Sequence, residues 1–195
     1  MLLREPDTTL IFQFQNGDRT PISPLWPIGH GLSFTTFKIS SPTVTPSNVS
    51  VSTAPPAAND AAHAKFVVGV TATNTGHRDG PVTIFVTFYK QTDGVVRWAR
   101  MLCGFTKVLL AAGSSARTTV EVQVADLARW SPSALGTDLL GQQVCGAYVV
   151  DGGVHQLQVD QCIDSGVSYG ATARTCTPLE LTVNIGEDGR TYVAL

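Results

Sequence analysis

A chain of 195 residues that is 43% hydrophobic but only 14% charged, with 18 glycines and 11 prolines, has room for one substantial core plus tails. That composition suits short strands joined by tight turns and argues against long amphipathic helices. The formal net charge of −2, with Lys and Arg scattered, offers no footprint for a polyanion, which argues against nucleic acid as a partner, and no window approaches the ~18 consecutive apolar residues of a membrane span.

At the N-terminus Met1-Leu2-Leu3 runs straight into Arg4-Glu5-Pro6-Asp7, so no export signal is expected and the compartment stays open. Leu10, Phe12 and Phe14 alternate with Thr9, Gln13 and Gln15, which reads as one short strand. The Pro-rich run Pro21-Ile22-Ser23-Pro24-Leu25-Trp26-Pro27 follows as a stiff extended linker, because proline fixes its own φ and pushes its predecessor toward extended backbone. Residues 1–30 are therefore expected to be a tail and linker, and residues 31–195 one domain.

Beyond Phe37-Lys38-Ile39 the stretch from Ser40 to Ala64 is mostly Ser, Thr, Pro, Ala and Asn and reads as a long loop, with at most one short strand near Asn48 to Ser52. From Phe66 a period of two is strong: Phe66, Val68, Val70 and Ala72 share one face. Turn residues at Asn74-Thr75-Gly76 and Arg78-Asp79-Gly80 close this strand. Val82, Ile84, Val86 and Phe88 line the core face of the next, and Gln91-Thr92-Asp93-Gly94 forms its turn. Leu102 to Leu110, the Ala112-Gly113-Ser114-Ser115 turn, the Val120, Val122, Val124 alternation, and runs at Tyr148 to Val150, Val154 to Val159 and Leu179 to Ile185 complete the series. Val70, Val86, Val122 and Leu157 are expected to point inward. Several short strands with half-polar faces predict an all-β fold, a two-sheet antiparallel β-sandwich.

Chemistry-bearing residues are sparse. Glycoside hydrolysis needs two carboxylates about 5 Å apart in retaining enzymes, or about 6.5–9.5 Å apart in inverting ones, yet Asp79, Asp93, Asp151, Asp160 and Asp164 all sit at turns or strand ends, where Asp commonly bonds local backbone. His30, His63, His77 and His155 are isolated, no serine lies in a nucleophile elbow, and Gly152-Gly153 and Gly29-His30-Gly31 lack the strand-to-helix context of a phosphate loop. Cys103, Cys145, Cys162 and Cys176 include no CxxC element, so the spacing does not support zinc. Cys162 and Cys176 bracket a polar stretch and either staple a loop or remain thiols. Asn48-Val49-Ser50 is a glycosylation acceptor only in an exported chain. Trp98, Trp130 and Tyr89 are candidate sugar platforms, although Trp more often packs at a sandwich edge. No cofactor is implied.

The run Pro24-Leu25-Trp26-Pro27-Ile28-Gly29-His30-Gly31-Leu32-Ser33-Phe34-Thr35-Thr36-Phe37 strongly resembles the Y-P-F-G-H-G-L-S-Y-T-x-F signature that opens the C-terminal domain of family 3 glycoside hydrolases. The likeness continues in order. Val70 to Gly80 resembles the V-x-V-x-N-T-G-x-x-x-G strand and turn, Leu102-Cys103-Gly104-Phe105-Thr106-Lys107-Val108 resembles L-x-G-F-x-K-V, and Leu110 to Ser114 resembles the turn after it. Ala125-Asp126-Leu127-Ala128-Arg129-Trp130 is similar to D-L-A-x-W, and Tyr148 to Gly153 to the W-V-V-x-x-G entry to the penultimate strand.

The resemblance spans about residues 20–185. It implies a fibronectin type III-like domain that packs on catalytic domains of a β-glucosidase or β-xylosidase type enzyme, the nucleophile Asp lying in an S-D-W type motif of a separate domain and absent from this chain. Members of the resembled family are often secreted. His155 replaces the usual Tyr, Asp160 the usual Gly, and Ser115 a Glu.

Two function classes follow. One is a non-catalytic accessory domain in carbohydrate metabolism, docking on catalytic domains or on a second copy of itself; the other is a carbohydrate-binding module, with a hydrolase in its own right a poorer third. Residues expected at docking or sugar contacts are Phe12, Trp26, Ile28, Trp98 and Trp130.

Overall fold

The computed structural model describes residues 28–29, 31, 33–51, 64–90, 100–137, 143–162, 178–187 and 191–194. The described chain is built from strands β1 (Phe37–Thr45), β2 (Asn48–Val49), β3 (Lys65–Asn74), β4 (Gly80–Tyr89), β5 (Met101–Leu110), β6 (Ser115–Gln123), β7 (Arg129–Thr137), β8 (Gln143–Asp151), β9 (Gly153–Asp160), β10 (Leu179–Ile185) and β11 (Thr191–Ala194), with one 3-10 turn at Val124–Leu127. Sheet order is β1-β3-β6 in one sheet, β2-β10-β9-β4-β5 in the second and β11-β8-β7 in a third. The first two face each other across one core, the sandwich expected from the alternation. The three-stranded β11-β8-β7 sheet is an addition that the two-sheet expectation lacked.

Periodicity explains which residues fill the core. Phe66, Val68, Val70 and Ala72 of β3 meet Val120 and Val122 of β6 and, across the gap, Val82, Ile84, Val86 and Phe88 of β4 with Leu157 and Val159 of β9, all buried in one cluster. Val70, Val86, Val122 and Leu157 point inward as expected. His155 is also wholly buried, its ring tilted against Phe88 with centroids 6.2 Å apart and Nδ1 lying 3.1 Å from the Gly153 carbonyl oxygen.

The expected loop over Ser40 to Ala64 is corrected at its start, because β1 runs to Thr45 and pairs antiparallel with β3 from Phe37↔Asn74 to Thr45↔Val67. Local composition concealed it: Ser and Thr dominate, and of its nine residues only Ile39 is buried, so the strand exists by virtue of its nonlocal ladder. The short strand expected near Asn48 is present as β2, parallel to β10. The tail strand at Leu10 to Phe14 and the turn at Gln91-Thr92-Asp93-Gly94 lie outside the described residues.

One buried amide ties the sequence motifs together. Asn74 has no solvent exposure. Its Nδ2 donates to the Arg78 and Leu110 carbonyls at 2.8 and 3.1 Å, and its Oδ1 accepts from the Thr35 hydroxyl at 2.5 Å and the Gly76 amide at 3.1 Å. Carbonyls can only accept and an amide N–H can only donate, so this set of partners fixes which way the side chain faces. The Gly76 backbone closes on Thr35 so tightly that a Cβ there would lie 2.2 Å from Thr35 Oγ1. Asp79 completes the same end of the sandwich by accepting from the Ala112 amide at 2.8 Å. The N-T-G run and the Ser33-to-Phe37 segment are thus two halves of one packed corner.

Candidate functional site

The two outer faces of the sandwich differ in chemistry. On the β1-β3-β6 side the outward side chains are mostly polar, and several bond one another: Thr73 to Ser115 at 2.7 Å, Lys65 to Glu121 at 3.1 Å, and Arg117 to the Ser41 carbonyl at 2.6 Å and to Thr43 Oγ1. The β4–β5 face carries hydrocarbon instead. Register places Phe85 opposite Phe105, Thr83 opposite Lys107 and Pro81 opposite Leu109. Phe105 is 64% exposed and Leu109 74%, with Leu102 also in solvent.

A bulge explains why these side chains point outward. Between Val86 and Thr87 the register slips, so that Val86 pairs with Gly104 and Thr87 with Leu102. Cys103 is the extra residue and turns into the core, while Leu102 on one side and Phe105, Lys107 and Leu109 on the other keep the outward face. The Cys103 thiol donates to the Val86 carbonyl at 3.4 Å. Burial, with a smaller contribution from the negative charge of Asp126, pushes its pKa up from 9.0 to about 12.

A second exposed apolar feature sits on the third sheet. Leu127 of the 3-10 turn is fully buried, and Asp126 caps that turn by accepting from the Gln123 amide at 3.2 Å. Arg129 then pairs with Asp151 in a two-pronged contact, Nε to Oδ2 and Nη2 to Oδ1 at 2.9 Å each. This bridge is mostly shielded from water, a geometry that suits the planar guanidinium. The next residue, Trp130, lies directly opposite Tyr148 across β7–β8. Their rings meet edge to face at 5.3 Å and 71°, with Trp130 55% and Tyr148 59% exposed.

Of the residues singled out from sequence, Ile28 and Trp130 are exposed, whereas Phe12, Trp26 and Trp98 lie outside the described residues. Ile28 and Trp130 are on separate elements, and Phe105, Leu109 and Tyr148 were not anticipated. The alternation of Phe105, Lys107 and Leu109 was a usable signal for the β5 face, obscured because the opposite face of that strand is also apolar.

The four described aspartates have structural work, while Asp93 and Asp164 lie outside the described residues. Asp79 bonds a neighbouring turn, Asp126 caps, Asp151 pairs with Arg129, and Asp160 accepts from the Gln161 amide at 2.6 Å. Asp151 stands at the end of β8, as expected, and pairs with Arg129 of the neighbouring strand. Among the described residues no group of three or more His, Cys, Asp or Glu could hold a metal ion. Cys162 is disulfide-bonded while Cys103 and Cys145 are free thiols.

The sandwich, with residues 82–161 matching the family model of the fibronectin type III-like domain, defines a domain of that class. Comparison with curated proteins goes further: the chain is 33% identical over 106 residues to a probable β-glucosidase I of Aspergillus fumigatus and 31% identical over 108 residues to a periplasmic β-glucosidase of Salmonella typhimurium. Those matches take in 54% and 55% of this chain but only 12% and 13% of the relatives. Among solved structures, a GH3 β-glucosidase of Bifidobacterium adolescentis matches at 25% identity and TM-score 0.52 over 80% of this chain and 18% of its own. A β-D-glucoside glucohydrolase of Trichoderma reesei shares the fold at TM-score 0.60 and 22% identity, over 85% of this chain and 21% of its own. Residues 82–161 thus match the fibronectin type III-like domain, and about half of the chain is similar to a short segment of these β-glucosidases.

Proposed function

We propose that this chain is a non-catalytic accessory domain of a β-glucosidase type enzyme, and that it packs against catalytic domains through the outer β4–β5 face. The observation that carries this reading is the contrast between the two outer faces: one is mostly polar, with several side chains bonded to one another, whereas the other presents Pro81, Phe85, Phe105 and Leu109 around a single Lys107. Large exposed side chains in a contiguous strip mark an interaction surface, because leaving them in water forfeits about 25 cal/mol for each Å² of apolar area. The matched relatives are several times longer than the segment they share with this chain, which supplies a ready occupant. A second copy of the chain is the other occupant this face could take, by isologous pairing.

The assignment of no catalysis rests on the engagement of Asp79, Asp126, Asp151 and Asp160 in structural contacts. Purified chain should release no nitrophenol from aryl β-glucoside or β-xyloside. Turnover that disappears when one Asp of this chain is replaced would contradict the reading.

A further inference from the structure

We propose that Asn48 is a modification site, its side-chain amide carrying one N-linked oligosaccharide within the sequence Asn48-Val49-Ser50. The motif alone leaves two conditions open. The folded protein must hold the amide in solvent, and the chain must pass through a compartment where the transfer occurs.

The first condition is met by the alternation of β2. Asn48 and Ser50 are exposed, and Val49 between them is buried in the core. Side chains two apart along a strand share a face, so the amide and the hydroxyl stand together on the solvent side while Val49 anchors the segment from the other. The backbone is held on one flank: the Ser47 carbonyl accepts from the Asn184 amide and the Val49 carbonyl from the Gly186 amide, both at 2.8 Å. β2 is the outer strand of the five-stranded sheet.

The surroundings suit a sugar. Asn48 pairs with Asn184 of β10, and on the same face of β10 Thr182 and Glu180 are exposed. A first sugar residue on Asn48 therefore lies beside hydroxyl, amide and carboxylate groups. β2 and β5 are the two opposite edges of the sheet, about 19 Å apart at ~4.8 Å per strand, so the glycan leaves the apolar β4–β5 strip uncovered. An exposed edge strand is a template for pairing with another chain, and a hydrated oligosaccharide on β2 keeps such a chain away.

Cys162 meets the second condition. It is disulfide-bonded, whereas Cys103 and Cys145 are thiols. Disulfides form and persist in oxidising compartments and are rare in the cytosol. Cys162 is buried, and a Cβ on Gly29 would lie 2.8 Å from its Cα, so the bonded cysteine belongs to the packed domain.

The donor is a lipid-linked oligosaccharide diphosphate. A bond forms between Asn48 Nδ2 and sugar C1 as the C1–O bond to diphosphate breaks. The lipid diphosphate leaves with the electron pair, the amide gives up one proton, and nothing is oxidised or reduced. No other asparagine of the chain has Ser or Thr two residues on, so a single N-linked glycan is expected.

The test is secretion of the full chain from insect cells behind an added leader, with intact-mass measurement before and after peptide-N-glycosidase. Most chains should lose the mass of one glycan on treatment, and peptide mapping should find the Asn48 amide converted to a carboxylate. Asn48→Gln and Ser50→Ala should abolish the loss, Ser50→Thr should keep it, and Asn48→Gln should keep the parent's melting temperature. In denaturant without reductant, an alkylating reagent should label Cys103 and Cys145 and spare Cys162. A secreted, folded chain without a glycan on Asn48, an enzyme-released glycan that persists in Asn48→Gln, or labelling of Cys162 without reductant would overturn the proposal.

Discussion

Thr35 Oγ1 donates to Asn74 Oδ1 at 2.5 Å across 39 residues of sequence, joining the segment that enters the sandwich to the turn between β3 and β4. Because Asn74 is fully buried and its Nδ2 also serves the Arg78 and Leu110 carbonyls, its removal strands several groups at once. An unsatisfied buried polar group costs about 1–3 kcal/mol. Asn74→Ala should therefore lower unfolding stability by about 3 kcal/mol or more, and Thr35→Val by less, as read from urea melts. Equal stability of Asn74→Ala and parent would mean that the corner is held by something else.

Core orientation gives a second expectation. Val122 has no exposure and pairs across the ladder with Phe66. Val122→Asp places an unpaired carboxylate in that contact and should cost more than about 3 kcal/mol, enough to unfold a marginal domain. Val154→Asp, at an exposed β9 position, should leave the melting temperature nearly unchanged. Similar losses in both variants would contradict the assigned faces.

Thiol chemistry should divide sharply. Cys145 is exposed and should react with a thiol reagent in the folded protein, whereas Cys103 is buried, with its pKa raised to about 12, and should react only on unfolding, because the thiolate is the nucleophile. The folded pKa lies above the unfolded value near 9, so the associated stability is complete below about pH 9 and is lost as pH climbs toward 12. Cys103→Ala should flatten that alkaline decline. Mass mapping of labelled peptides checks the first expectation, and rapid native labelling of Cys103 would contradict it.

The indole seat at Gly146 predicts a local effect. Gly146→Ala puts a methyl where the Trp130 ring now lies and also strains a backbone at φ +96°. The ring must move, so the near-ultraviolet circular dichroism should change and the domain should lose about 1 kcal/mol or more. An unaltered spectrum would place the ring elsewhere.

Much of the sandwich was legible because β3, β4 and β6 alternate apolar and polar residues and their burial follows that pattern closely. β1 was not, since Ser40-Ser41-Pro42-Thr43 carries little hydrophobic signal and the strand is defined by its ladder to β3. β7 was hidden by Pro132, a residue that a sheet admits on an edge strand, which is where β7 lies. Trp130 was recognisable as an aromatic of interest, but its pairing with Tyr148 depends on register between strands that no local pattern encodes. The β5 face was obscured both by the apolar residues on the strand's other side and by the bulge at Cys103, which shifts the alternation near the strand's start.

Docking through the β4–β5 face is tested most directly by calorimetric titration of the full chain into catalytic domains of a family 3 β-glucosidase prepared without their own fibronectin type III-like domain. The account predicts saturable binding by the parent chain, abolished in the Phe105→Asp, Leu109→Asp variant while that variant keeps the parent's melting temperature, because both side chains lie on the outer face and outside the core. Undiminished binding by the folded double variant, or no binding by the parent at high micromolar concentration, would contradict it.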